Sequence, residues 1–334
     1  MHSRLTTAML FITTVLLSIL SYGCVERGSY IEINGEALGT FVQVKCHTSL
    51  PKEDISNIIQ EVDQESKNSM SIFSPTSLLS RINRNETDSL DCHIAHNIEL
   101  AKRFSELSDG AYDITIKPLT DALGFGREET FTDINIDSLL EFVGYELISI
   151  EEGRLRKADS RVEIDLNSIA KGYTVDLIAE RLEALGIRDY MVNIGGEIRC
   201  KGCNNKGQKW SIGIETPYDG NMAMDSFEKI VYIADKAIAT SGNYRRFYLT
   251  DDGQKVAHTI DPKSGRSAVS ALLSVTVIAP TCAEADAAAT MLMTLGASNR
   301  AEGVAEQLHS DFGWDYYLIF AGDEEYRVVE TISN

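Results

Sequence analysis

Asp165-Leu166-Asn167-Ser168-Ile169-Ala170-Lys171-Gly172-Tyr173-Thr174-Val175-Asp176 runs from a β-forming stretch, through a polar bend, into the start of a helix. At such a junction the first backbone N–H groups have no helical partner and point outward, where an anion can accept from them. Lys171 falls in the first turn, where it can meet a phosphate or simply sit in solvent. Gly172 allows a close backbone approach or only tight helix packing. The Gly-x-Gly-x-x-Gly signature of a dinucleotide-binding Rossmann turn is absent, which excludes that fold. Asn167 or Ser168 is the expected cap of a helix reaching about Leu185, with Gly186 as its stop.

Outward from this stretch, β-forming runs over residues 147–150 and 162–166 flank a polar turn at Glu151–Gly153. Nearer the N-terminus, residues 30–46 read as strand, glycine bend, strand. Ile55, Ile58, Ile59 and Val62 put one apolar stripe on a helix over 53–67, and Ile94, Ile98, Ala101, Phe104 and Leu107 mark a second. A short third helix is expected over 136–143. The second half is richer in strands, at 190–194, 210–214, 230–234, 247–249, 272–278, 316–320 and 326–329. Two helices interrupt them, an alanine-rich one ending near Gly296 and another over 302–308. Strands broken by helices without strict alternation indicate an α+β fold.

The chain has 334 residues with 43% hydrophobic and 24% charged side chains, enough for one large domain or two packed lobes. A formal net charge of -19 opposes nucleic-acid and anionic-lipid binding. It leaves room for a phosphate ligand if a metal and a few cations offset the local field. Arg4 followed by an apolar run over 5–20 is short for a membrane span but suits a signal peptide, here residues 1–23. Gly23-Cys24 at its end has the form of a bacterial lipoprotein signal, so Cys24 is the expected lipid carrier. Among the other cysteines, Cys200-Lys201-Gly202-Cys203 has metal or redox spacing, but no second pair completes a zinc site. A local disulfide or two free thiols are the ordinary alternatives.

Several segments carry chemistry. Asp286 and Thr290 lie four apart on a helix and so share a face. Their oxygens are hard donors, suited to magnesium. Asn193-Ile194-Gly195-Gly196-Glu197 ends a strand in paired glycines, as a plain turn or as a place where a ligand comes close. Phe73, in the loop over 70–77, can stack on a flat ring, although core burial is the commoner fate of a phenylalanine. Ala239-Thr240-Ser241-Gly242-Asn243-Tyr244-Arg245-Arg246-Phe247 sets small residues beside two arginines. His258 then precedes the turn Asp261-Pro262-Lys263-Ser264-Gly265, and is the histidine placed to act as a base. His47, His93, His96 and His309 read as structural residues without partners.

Taken together these segments resemble the ApbE family of FAD:protein FMN transferases. The matching pieces include Leu38-Gly39-Thr40, the loop from Met70, Gly110-Ala111-Tyr112-Asp113-Ile114-Thr115, Gly124-Phe125-Gly126, and the stretches around Asp165, Asn193, Trp210, Thr240, His258 and Asp286. The resemblance implies an α+β core of mixed sheet with flanking helices, related to tunnelling-fold modules, as two intimately packed lobes over 24–334. It implies that FAD, bound with magnesium, gives its FMN part to a threonine hydroxyl of an acceptor protein. It further implies that the Ala170 carbonyl, Asp286 and Thr290 hold the metal. Leu38, Phe73, Ala111, Tyr112, Asp113, Lys171 and Ile260 would line the FAD, and His258 would be the base. Leu38 stands where methionine is usual, and Phe73 where tyrosine is common. The implied acceptors carry a [Ser/Thr]-Gly-Ala-Thr motif and are subunits of Rnf-type or sodium-pumping NADH:quinone reductase complexes. The enzyme would then be lipid-anchored in the bacterial cell envelope, facing the periplasm. A magnesium-dependent FAD pyrophosphatase and a non-enzymatic FAD-binding lipoprotein are the competing readings.

Overall fold

The computed structural model describes residues 28–126, 135–218, 226–244, 247–250, 253–322 and 325–332. The signal segment, Cys24, Arg245 and Arg246 lie outside them. Strands β1 (Ser29–Ala37) and β2 (Thr40–Thr48) lead to helices α1 (Lys52–Met70), α2 (Leu78–Asn83), α3 (Cys92–Leu107), α4 (Lys117–Ala122) and α5 (Ile136–Leu139). A hairpin of β3 (Ile148–Glu151) and β4 (Arg154–Lys157) precedes α6 (Ala170–Ala184). Next come β5 (Tyr190–Ile194), β6 (Glu197–Lys201), β7 (Trp210–Glu215), β8 (Phe227–Ile233) and β9 (Lys236–Gly242). Short β10 (Phe247–Leu249), β11 (Lys255–Ala257), β12 (Ile260–Asp261) and β13 (Arg266–Ser267) follow. The chain closes with β14 (Leu272–Ala279), α7 (Cys282–Gly296), α8 (Ala301–Phe312), β15 (Asp315–Phe320) and β16 (Arg327–Glu330).

The fold is α+β. Its centre is an 8-stranded sheet in the order β1-β2-β5-β6-β9-β14-β15-β16, with antiparallel neighbours throughout. One face of the sheet is covered by helices. Ala285, Ala288, Met291, Leu292 and Leu295 of α7 pack with Val275 and Val277 of β14, while Val175, Ile178 and Leu182 of α6 pack with Val44 and Val192. The β7–β8 hairpin covers the other face, where Trp210, Ile212, Val231 and Ile233 meet Ile198, Ile238 and Ile278. Strand β14 is therefore buried on both faces, and reads as a continuous apolar run with Ser274 and Thr276 inside it.

Helices α6 and α7 cap each other. Asp176 of α6 accepts from the N–H groups of Cys282 (2.9 Å) and Ala283 (2.8 Å), and Asp286 of α7 accepts from the Gly172 N–H (3.0 Å). A Cβ at Gly172 would lie 2.3 Å from the Cys282 carbonyl oxygen, so the crossing depends on glycine there.

The structure corrects several expectations. Residues 162–166 form no strand, and the partner of β3 is β4. The Asn83 amide instead pins that buried segment, donating to the Ile164 carbonyl and accepting from its N–H at 2.8 Å each. Helix α6 starts at Ala170 after Ile169, with no side-chain cap, because Asn167 and Ser168 belong to the preceding bend. The helix over 136–143 is one α-turn that continues as a 3₁₀ turn, Leu140–Phe142. Cys200 and Cys203 are free thiols, Cys200 buried beneath β7–β8 and Cys203 with its Sγ 3.4 Å from Asp189 Oδ1. The remaining histidines do have partners. His93 bridges Glu65 (2.9 Å) and the Tyr173 hydroxyl (3.0 Å), His96 stacks on Tyr173, His309 bonds the Trp314 carbonyl and His47 the Gly28 carbonyl.

Gly172→Ala should destabilise the protein by about 1–3 kcal/mol, because the new methyl meets immovable backbone. The expected readout is a lower urea midpoint with an unchanged slope. A wild-type midpoint would show that the helices can part without cost.

Candidate active site

The site is a cavity of about 930 Å³ where α1, α6, β9 and α7 meet the loops after α1, α3 and β11. A pocket of 300–1,000 Å³ is the size in which small molecules and cofactors are held. Leu38, Phe73, Ala111, Tyr112, Asp113, Ala170, Lys171, His258, Ile260, Asp286 and Thr290 all line it, although they come from segments spread across the chain.

Each is held by its local structure. The Ser71 hydroxyl accepts from the N–H groups of Phe73 (3.1 Å) and Ser74 (3.2 Å), which curls the loop and leaves the Phe73 ring 45% exposed at the cavity. Asp113 is buried. Its Oδ1 accepts from the Thr115 N–H (2.8 Å) and hydroxyl (2.7 Å), and its Oδ2 from the Tyr145 N–H (2.6 Å). Burial raises its pKa against those donors. The buried Tyr112 hydroxyl accepts from Ser168 at 2.9 Å, tying the loop after α3 to the bend before α6. Ile260 is buried in β12. His258 is half-buried, edge-on to Phe125 with ring centroids 6.5 Å apart.

Asp286 is 3% exposed. Removal from water disfavours its charged form and pushes its pKa up to about 7. The Lys171 charge and the Gly172 N–H pull it down, and the carboxylates of Glu197 and Asp176 push it up. Lys171 donates to Glu197 Oε1, while Glu197 Oε2 is buried without a hydrogen-bond partner. Ser241 and Thr290 hydroxyls lie 3.2 Å apart.

The concentration of oxygen donors around an under-neutralised buried carboxylate fits a hard divalent cation such as magnesium. Among the described residues no group of three His, Cys, Asp or Glu gathers as a dedicated metal cage. A single carboxylate with hydroxyls nearby is the sparse protein donor set that magnesium, which keeps several waters, usually takes.

Sequence reasoning passed over the Glu197 side chain, which it took as the end of a glycine turn, whereas Thr240 and Ser241, on β9, lie in the stretch of small residues it singled out. All three line the cavity.

A family model for the ApbE family matches residues 38–312. The chain is 36% identical over 298 residues to the FAD:protein FMN transferase of Vibrio cholerae serotype O1, covering 86% of this chain and 88% of that protein. It is 34% identical over 317 residues to that of Haemophilus influenzae, covering 89% of each. The solved flavin transferase ApbE from Vibrio cholerae superposes with a TM-score of 0.80 at 31% identity, covering 91% of this chain and 97% of the other.

Between the ordinary carboxylate range and about pH 7, folded Asp286 keeps a proton that the unfolded chain has released. This group's contribution to stability is therefore present below that window and lost as pH rises through it. Without divalent cations, wild type should lose more stability than Asp286→Asn between about pH 5 and about pH 7. Parallel melting temperatures of the two proteins across that range would contradict the buried-carboxylate account.

Proposed function

From the premise that this chain belongs to the ApbE family, we propose that the cavity binds FAD with magnesium and passes the FMN part to a threonine hydroxyl of an acceptor protein. The enzyme is an FAD:protein FMN transferase. One observation carries the finer reading: the residues assigned to flavin, metal and base line a single cavity.

Magnesium held by Asp286, Thr290 and the Ala170 carbonyl would neutralise charge on the FAD diphosphate. Lys171, at the N-terminus of α6, adds a cation beside it, in exchange for its bond to Glu197. Phe73 and Tyr112 offer aromatic surface to the ring systems. His258 takes the proton of the threonine hydroxyl, a weak nucleophile without a base. The hydroxyl oxygen bonds to the FMN-side phosphorus, the bond from that phosphorus to the bridging oxygen breaks, and AMP leaves with the electron pair. Hydrolysis to FMN and AMP is the same displacement with water as nucleophile.

Acceptors carrying a [Ser/Thr]-Gly-Ala-Thr motif, such as Rnf or sodium-pumping reductase subunits, belong to this proposal. Anchoring through lipid on Cys24, facing the periplasm, belongs to it too and rests on the sequence of residues 1–24. Among the described residues no helix is long and apolar enough to cross a membrane. Cys24→Ser should release the protein from the membrane fraction; retention of that variant, with no lipid on the wild type by mass, would refute the anchor.

With FAD, magnesium and a peptide carrying the motif, the peptide should gain the mass of FMN as AMP appears. Chelation should stop the reaction and added magnesium restore it. AMP without peptide mass gain would make the chain a pyrophosphatase, and neither product a carrier. His258→Ala should slow transfer by about 10²–10⁴-fold while FAD affinity, read by flavin fluorescence, changes little. Weakened FAD binding with an unchanged rate at saturation would make His258 a ligand contact instead.

A further inference from the structure

Leu38 has φ +51°, a left-handed backbone that an apolar side chain seldom takes. Gly39 beside it, at φ +75°, takes the same region without strain. Together they form the tight turn of the β1–β2 hairpin, and both line the cavity. Non-glycine residues persist in this conformation only when their surroundings impose it. The two-residue turn between paired Ala37 and Thr40 requires it at both positions, and α1 braces that turn: the Leu38 N–H donates to Asp63 Oδ1 at 2.8 Å. Asp63 Oδ2 accepts from Lys67 Nζ at 2.6 Å, one helical turn on, and Lys67 also lines the cavity. Buried Val62 and Met70 fix α1 on either side of this pair.

We propose that Asp63 is a positioning residue for the flavin nucleotide. By accepting the Leu38 N–H it holds the hairpin turn in place against α1, and the turn presents Leu38 to the ligand. Asp63 itself touches no substrate. Its carboxylate is 16% exposed and both of its oxygens are engaged by the chain. The inference rests on the reading that the cavity takes FAD.

The test is FAD affinity by flavin fluorescence, with kcat and KM for FAD measured on the intact enzyme. Asp63→Ala should weaken FAD binding roughly tenfold, the worth of one hydrogen bond to a charged group, and should raise KM more than it lowers kcat. Asp63→Asn, which keeps an amide oxygen for the Leu38 N–H, should recover most of the affinity. Lys67→Met, which leaves that bond in place, should perturb KM less than Asp63→Ala. If the alanine variant does not fold, Leu38 carries the test. Leu38→Val, ill-suited to a left-handed backbone, should bind FAD more weakly than Leu38→Asn, which tolerates it. Wild-type FAD affinity in Asp63→Ala, no recovery in Asp63→Asn, equal loss in Lys67→Met, or equal affinity of the two Leu38 variants would each overturn the proposal. A wild-type enzyme that binds no FAD would instead remove the reading on which it rests.

Discussion

The crossing of α6 and α7 is the constraint on which the site depends. Each helix lends the other a carboxylate: Asp176 satisfies two N–H groups at the start of α7, and Asp286 satisfies one at the start of α6. The backbones can approach this closely because position 172 carries no side chain. The carboxylates must then be buried, and each needs further compensation. Asp176 has it in Arg199, 2.8 Å away, although burial still raises its pKa. Asp286 accepts the Gly172 N–H and is left under-neutralised at the cavity wall. One member of the pair thus completes the fold while the other is available for a cation.

This asymmetry explains how a chain of formal charge -19 can hold an anionic dinucleotide. The overall field repels such a ligand, but the local field is set by the start of α6, by Lys171 and by whatever cation Asp286 attracts. Glu197 tempers that field. It engages the Lys171 ammonium through one oxygen and leaves the other, buried and without a hydrogen-bond partner, facing the same space. A divalent cation among these oxygens, as proposed above, would relieve two costs at once, the desolvated Asp286 and the crowding of carboxylates.

Much of this was legible in the sequence where the signal is local. The stripe of Ile55, Ile59 and Val62, the alanine-rich helix ending at Gly296, and the strand 247–249 fall where periodicity and turn chemistry put them. Asp286 and Thr290 share a helix face as their spacing requires. The failures are tertiary. Residues 162–166 have strand composition, yet the Ile164 backbone is satisfied by the Asn83 side chain, a contact across 81 residues that no local pattern announces. Glu197 reads as a turn residue until the β5–β6 hairpin register carries it to Lys171. The Leu38 turn is tied by a hydrogen bond to Asp63, 25 residues away on another element. The site residues could be gathered in advance only because a family pattern ties distant segments together.

With the roles proposed above, the architecture separates recognition from proton transfer. Asp286, Thr290 and Ala170 sit on two long helices welded into the main core. They are backed by the largest cluster of buried side chains among the described residues. His258 sits between short β11 and β12, beside a satellite cluster of Leu119, Phe125 and Ile260, with Tyr248 packed on Phe125. That cluster is small and joins the core through few elements, so local opening there costs less than opening at α7. A base carried on such a segment can adjust to an incoming protein hydroxyl while the nucleotide stays fixed. A transferase needs this arrangement more than a hydrolase does. Water enters a closed pocket unaided, whereas an acceptor chain must be admitted beside a ligand that does not move.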